Sequence, residues 1–106
     1  MPISASELAA KLKSSDAPFL LDVREPEEHA IAALPDSKLI PLGQIGERAG
    51  ELDAWKKKEI VVYCHHGIRS QHAIARLRSL GFTNLRNLSG GIDAWSREVD
   101  SALPRY

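Results

Sequence analysis

The residues best suited to chemistry lie in the segment 64–70, which reads Cys-His-His-Gly-Ile-Arg-Ser. Cys64 follows an apolar stretch and precedes a segment with helical spacing. A loop between a strand and a helix N-terminus can surround a sulfur atom with backbone N–H donors. Gly67 allows a backbone conformation that other residues avoid, and Arg69 adds a permanent cation. Because such donors, a cation and a helix dipole all lower the pKa of a thiol, we predict that Cys64 is a reactive thiolate.

Two other interpretations of Cys64 have to be weighed. A free cysteine on its own is most often a small buried hydrophobe, but the glycine, arginine and helix start that follow favour reactivity. Since Cys64 is the only cysteine, it cannot form an internal disulfide or a multi-cysteine metal site. His65 and His66 could serve as general bases or zinc ligands, but together with Cys64 and His72 they lack metal-site spacing. We therefore predict no metal.

The surrounding pattern alternates strands with helices. The stretch 60–63 is β-branched, aromatic and continuous, which predicts the central strand. Ser4 and Glu7 have capping-box spacing at the start of the first helix, and Gly81 is placed to end a later one. This alternation predicts an α/β fold with a mostly parallel sheet covered on both faces. The predicted strands are 19–23, 38–40, 60–63 and 85–88, and the predicted helices are 5–14, 25–33, one or two within 42–55, 70–80 and 92–99.

Length and charge narrow the classes of function. A chain of 106 residues is the size of one domain, so we predict a single domain over 1–106, with a tail from about 100. Fourteen basic and fourteen acidic residues give zero formal charge, which argues against nucleic acid or anionic membrane as the partner. The longest apolar run is too short to span a bilayer, and the N-terminus lacks the features of a secretory signal. We therefore expect a cytoplasmic protein.

Four segments together resemble the rhodanese family of single-domain sulfurtransferases. They are LLDVREPEEH at 20–29, IPL at 40–42, CHHGIRS at 64–70 and SGGIDAW at 89–95. The resemblance covers nearly the whole chain and implies a five-stranded, mainly parallel sheet flanked by helices. It also implies that the catalytic cysteine, here Cys64, alternates between thiolate and persulfide, with no metal or organic cofactor.

The resemblance also assigns supporting residues. Asp22 and Arg24 match a charged pair after the second strand, and we interpret them as structural. Gly90, Gly91 and Trp95 should shape and pack the loop beside the site, and Ser70 should support it. Residues 30–39 depart from the family, which usually has a glycine-histidine-isoleucine turn there, so we expect a rebuilt turn.

The length of the cysteine loop separates two enzymatic hypotheses. Related cysteine phosphatases have five residues between cysteine and arginine, whereas four lie between Cys64 and Arg69. The shorter loop favours sulfur transfer from thiosulfate or a persulfide to cyanide, a thiol or a protein acceptor. A phosphatase or arsenate reductase is the second hypothesis, and a non-catalytic module that carries a persulfide or binds a protein is the third. The expected substrate-binding residues are His65, His66, Gly67, Ile68 and Arg69.

A single cysteine also predicts how open the site must be. With no resolving cysteine in the chain, a persulfide on Cys64 must wait for an external acceptor. We therefore expect an exposed sulfur at the mouth of a shallow pocket. A sulfur sealed beneath side chains would instead favour a structural cysteine.

Overall fold

Strand β4 (Ile60–Tyr63) organises the fold, because its four side chains are all buried. The computed structural model describes residues 2–106, and within them five strands form one sheet in the order β1-β5-β4-β2-β3. Every strand pair is parallel, and β4 is central as predicted. The other strands are β1 (Pro2–Ile3), β2 (Phe19–Asp22), β3 (Lys38–Leu39) and β5 (Leu85–Leu88).

Helices cover both faces of this sheet. They are α1 (Ala5–Leu12), α2 (Pro26–Ile31), α3 (Ile45–Arg48), α4 (Ile68–Ser79) and α5 (Gly91–Glu98), with 3-10 turns at Leu42–Gln44 and Ala49–Trp55. Side chains alternate across β4, so Val62 joins an apolar cluster with Leu77 of α4, while Val61 joins one with Trp95 of α5. The chain is therefore α/β with a core on each side of the sheet. Among residues 2–106, no helix is both long and apolar enough to cross a membrane.

Most of the predicted elements are confirmed, including residues predicted to begin or to end a helix. Ser4 and Glu7 form a reciprocal capping box at the start of α1, and Gly81 takes a positive φ of 98° after α4. The segment 42–55 forms short helical pieces, as its glycines indicated. β1 was not predicted from its residues, because two residues are too few to show a strand pattern. It is held by pairing of Pro2 and Ile3 with β5.

The carboxyl ends of the strands place the predicted site residues at one edge of the sheet. Asp22 ends β2, Cys64 follows β4, and the turn before Gly91 follows β5. Parallel strands bring these ends together, and ligands bind at this edge in open α/β sheets. The segment predicted as a tail forms no helix or strand after residue 99, but it contacts the domain, because Leu103 packs against the apolar cluster that contains Trp95.

Candidate active site

The loop after β4 bends around the sulfur of Cys64. The Gly67 backbone N–H donates to Sγ over 3.0 Å, and the Ser70 hydroxyl lies 3.5 Å from it. Gly67 has φ of 115° and directly precedes α4, so its left-handed conformation turns the chain from the loop into the helix. The sequence therefore produces the donor-lined loop that the cysteine-glycine-arginine pattern predicted.

Two opposing effects act on the thiol. Burial raises the pKa of Cys64, while the Ser70 hydroxyl and the backbone N–H groups of Ser70, Gly67 and His66 lower it. The hydrogen bonds prevail, and the pKa lies below that of an ordinary cysteine. The thiolate is thus stabilised by donors of the loop itself.

Asn87 of β5 holds this loop from the neighbouring strand. Its side-chain oxygen accepts a hydrogen bond from Ser70, and its amide nitrogen donates to the Gly67 carbonyl over 3.1 Å. The Ser70 hydroxyl has one proton, which the Cys64 sulfur, the Asn87 oxygen and the Gly67 carbonyl share. Asn87 therefore helps to fix where that proton points.

The N-terminus of α5 supports the loop from the other side. The backbone N–H groups of Ile92 and Asp93 donate to the carbonyls of Cys64 and His65 over 2.9 and 3.1 Å. A Cβ at Gly91 would collide with both carbonyl oxygens, so only glycine permits this approach. A Cβ added at Gly90, where φ is 76°, would likewise collide with the Cβ of Ala94. Trp95 is buried in the apolar cluster and packs α5 onto the sheet.

Arg69 is held by an acidic partner that the sequence analysis did not identify. Its two terminal nitrogens donate to the carboxylate of Glu28 over 2.6 and 2.8 Å. The hydrogen bonds from Arg69 lower the pKa of Glu28 to about 2, so the pair is ionic at neutral pH. The charge of the Cys64 thiolate is also among the causes that raise the pKa of Arg69, so the guanidinium and the thiolate attract each other. The predicted role of Arg69 in binding a substrate stays a prediction, and in this conformation an anion would compete with Glu28 for the guanidinium. Ile68, also predicted to bind substrate, is 69% exposed.

Asp22 and Arg24 form a fully buried ion pair. The guanidinium donates to both carboxylate oxygens over 2.7 and 2.8 Å and also to the Ala32 carbonyl. Burial lowers the pKa of Arg24, but hydrogen bonds to Asp22 and Tyr106 prevail and keep it above its usual value. His29 contacts the same Asp22 carboxylate over 2.8 Å. The pair ties the end of β2 to the rebuilt turn and fits the structural role that we expected.

His65 and His66 meet a carboxylate from α5. Their rings stack with centroids 4.0 Å apart, and His66 Nε2 lies 3.8 Å from Asp93. Three such groups can in principle hold a metal ion. The Asp93 carboxylate, however, is already bound by Arg97 and Arg105, and a metal ion would have to compete with both cations. The arrangement therefore fits an ion-pair cluster beside the loop better than a metal site.

Cys64 is only 2% exposed, so the predicted exposed sulfur is wrong for this conformation. The C-terminal Tyr106 lies at the rim: its ring stacks on His65 at 4.0 Å, its hydroxyl donates to Glu28, and it accepts from Arg24. Sequence reasoning took this segment for a tail. Burial alone would favour a structural cysteine, while the donors directed at the sulfur indicate a reactive one.

Four residues around the site were missed by the sequence analysis, namely Glu28, Asn87, Asp93 and Tyr106. Glu28 and Asp93 lie within the segments that carried the family resemblance, but helix N-termini commonly hold acids for the dipole alone. Asn87 and Tyr106 have no local signal, because their partners are distant in sequence.

Known proteins resemble this chain along almost its whole length. The family model described as Rhodanese-like domain matches residues 4–98. A sulfurtransferase from Allochromatium vinosum is 36% identical over 90% of this chain and 87% of its own. An adenylyltransferase and sulfurtransferase, uba4, from Ogataea parapolymorpha is 38% identical, but this chain spans only 24% of its length.

Solved structures agree in fold. A rhodanese-related protein from Thermoplasma volcanium is 35% identical, with a TM-score of 0.81 and 92% of each chain covered. The human single-domain sulfurtransferase TSTD1 is 28% identical, with a TM-score of 0.79, and the match covers 92% of this chain and 96% of that one.

Proposed function

The chain belongs to the family of rhodanese-like domains, and on this basis we propose that it is a sulfurtransferase that carries sulfur on Cys64. The observation that supports this most is the set of loop donors on Sγ, namely the Gly67 backbone N–H at 3.0 Å and the Ser70 hydroxyl. Donors of this kind stabilise a thiolate, which is the nucleophilic form of cysteine.

In the first half-reaction the Cys64 thiolate attacks the outer sulfur of a donor such as thiosulfate. A sulfur–sulfur bond forms to Cys64, the sulfur–sulfur bond of thiosulfate breaks, and sulfite leaves with the bonding electron pair. The enzyme is left with a Cys64 persulfide anion. We propose that the backbone N–H groups of the loop, which stabilise the thiolate, also stabilise this anion.

In the second half-reaction an acceptor attacks the outer sulfur of the persulfide. Cyanide gives thiocyanate, and a thiolate gives a new persulfide, with the Cys64 thiolate restored in each case. Because Cys64 is the only cysteine, the acceptor must come from outside the chain. We propose a small thiol or a protein thiol as that acceptor.

A small anionic donor suits the charges around the loop. Arg69 and the backbone N–H groups can bind an oxyanion if Arg69 shifts partly from Glu28, and the stacked His65 and His66 belong to the same loop. Burial, and next the positive charge of His66, lower the pKa of His65. His65 is therefore neutral near pH 7 and adds positive charge only in acid.

The activity is tested by steady-state formation of thiocyanate from thiosulfate and cyanide. A double-displacement mechanism predicts parallel lines in double-reciprocal plots, and Cys64→Ser should reduce the rate to background. Ser79→Ala, on the exposed end of α4, is the control. Hydrolysis of a phosphate monoester instead of thiocyanate formation would support the phosphatase hypothesis. Persulfide formation without turnover would support the carrier module.

A further inference from the structure

The last residues of the chain are fixed at several points around the catalytic loop. Leu103 packs in the apolar cluster near α5, and its backbone N–H donates to the Asp100 carbonyl. Arg105 then reaches Asp93 with an ion pair of 3.1 Å. We call residues 100–106 the strap.

Tyr106 ends the strap with contacts on both sides of the loop. Its ring stacks on His65 at 4.0 Å with planes only 10° apart, which places it at the start of the loop. Its hydroxyl donates to the Glu28 carboxylate over 2.8 Å, and the same carboxylate binds Arg69 at the end of the loop. Tyr106 therefore links the start of the loop to the carboxylate that binds the end of the loop.

Arg24 completes the anchoring of Tyr106. Its Nη1 donates to the phenol oxygen over 2.7 Å, and its guanidinium carbon lies 5.6 Å from the centre of the Tyr106 ring. The phenol therefore has both a donor and an acceptor, and it links a fully buried cation to the surface. Arg24 and Glu28 together hold the Tyr106 side chain in one position.

We propose that the strap is a lid over the Cys64 loop, with Tyr106 as its latch, and that it must open for an acceptor to reach the persulfide. The inference rests on the proposed function, since it concerns access to the same sulfur. It accounts for a reactive loop whose cysteine is only 2% exposed. A closed lid also shields the persulfide from peroxide between the two half-reactions.

The contacts that hold the lid closed are weak, because they are exposed to solvent. Tyr106 is 40% exposed, and the side chain of Arg105 is more than half exposed, so water and salt weaken both attachments. Local opening of such surface segments needs much less free energy than global unfolding. An anionic donor that draws Arg69 away from Glu28 would also remove the ion pair that holds the carboxylate accepting from the phenol in position.

Alkylation of Cys64 by iodoacetamide, a neutral reagent, tests the lid without sulfur chemistry. Rates across pH separate the midpoint, which reports the thiol pKa, from the limiting rate in alkali, which reports access. Tyr106→Ala should raise the limiting rate by about tenfold, in proportion to the open fraction, and Tyr106→Phe should raise it less because it keeps the ring.

Arg105→Ala and Arg97→Ala form a matched pair, because both remove an arginine from Asp93 and only Arg105 belongs to the strap. Arg105→Ala should raise the limiting rate, and Arg97→Ala should leave it unchanged. Thermal melts establish that each variant is folded. Equal limiting rates in wild type, Tyr106→Ala and Arg105→Ala would overturn the lid. Faster alkylation without any persulfide after thiosulfate would uphold the lid and overturn sulfur transfer from that donor.

Discussion

Glu28 and Arg69 form a two-point ion pair of 2.6 and 2.8 Å that joins α2 to the first turn of α4. Arg69 belongs to the cysteine loop, so its charge is divided between Glu28 and any anion that enters. Tyr106 donates to the same carboxylate. The pair therefore connects binding of the donor with the position of the strap.

Competition for Arg69 predicts opposite effects of two substitutions on donor binding. Arg69→Ala should raise the KM for thiosulfate by roughly tenfold, because a charged hydrogen-bonding partner of the anion is lost. Glu28→Gln should lower that KM, because Arg69 is freed. Both are measured in thiosulfate titrations at fixed cyanide.

Glu27→Gln is the matched control for Glu28→Gln, since it removes the same charge from the exposed side of α2. A KM lowered equally by both glutamine variants would assign the effect to overall charge and contradict a specific role for the Glu28–Arg69 pair.

Ser70 provides a second prediction, on the reactivity of the thiol. Removal of its hydroxyl in Ser70→Ala should raise the pKa of Cys64, because that hydroxyl is the leading contribution that opposes burial. The pH profile of alkylation should move to higher pH, while the profile of Ser79→Ala should match wild type. An unmoved profile would show that the backbone donors alone set the pKa.

The Glu28–Arg69 pair also predicts a dependence of stability on pH. The pKa of Glu28 is about 2 in the folded chain, below its usual 4.5, so the pair stabilises the fold above pH 4.5. This contribution declines as the pH falls from 4.5 towards 2. The difference in unfolding free energy between wild type and Glu28→Gln, from urea titrations, should shrink across that interval. A constant difference would mean that ionisation of Glu28 is not its source.

Breaking the buried pair of Asp22 and Arg24 should cost more folding free energy than breaking the Glu28–Arg69 pair. Asp22→Ala leaves an uncompensated guanidinium in the interior, which costs about 3–5 kcal/mol of folding free energy. Asp16→Ala, which changes an exposed aspartate, is the comparison for charge. A loss below about 1 kcal/mol in urea unfolding would show that Arg24 finds water or another acceptor.

Local patterns were sufficient to predict most of the fold. The apolar stretch of β4, the capping box at Ser4 and the stop at Gly81 each depend on residues within one element, and the structure confirms them. β1 was missed because only Ile3 and its neighbour pair with β5, which a pattern of alternating residues cannot reveal.

The site was predictable only where chemistry and turn geometry fall in one short segment. The loop from Cys64 to Ser70 was found in this way, as was the need for glycine at position 91. The partners Glu28 and Tyr106 come from opposite ends of the chain, 41 and 37 residues from Arg69, so no local pattern connects them. The exposure of Cys64 was predicted wrongly, because burial depends on how distant segments pack and not on the residues of the loop alone.

The central claim is that Cys64 carries sulfur as a persulfide, and intact-protein mass spectrometry after thiosulfate treatment tests it most directly. Wild type should gain the mass of one sulfur atom and lose it again when cyanide is added, with thiocyanate released in equal amount. Cys64→Ser should gain nothing. A wild-type protein that stays unmodified at saturating thiosulfate, while Cys64 still reacts with iodoacetamide, would contradict the claim for this donor.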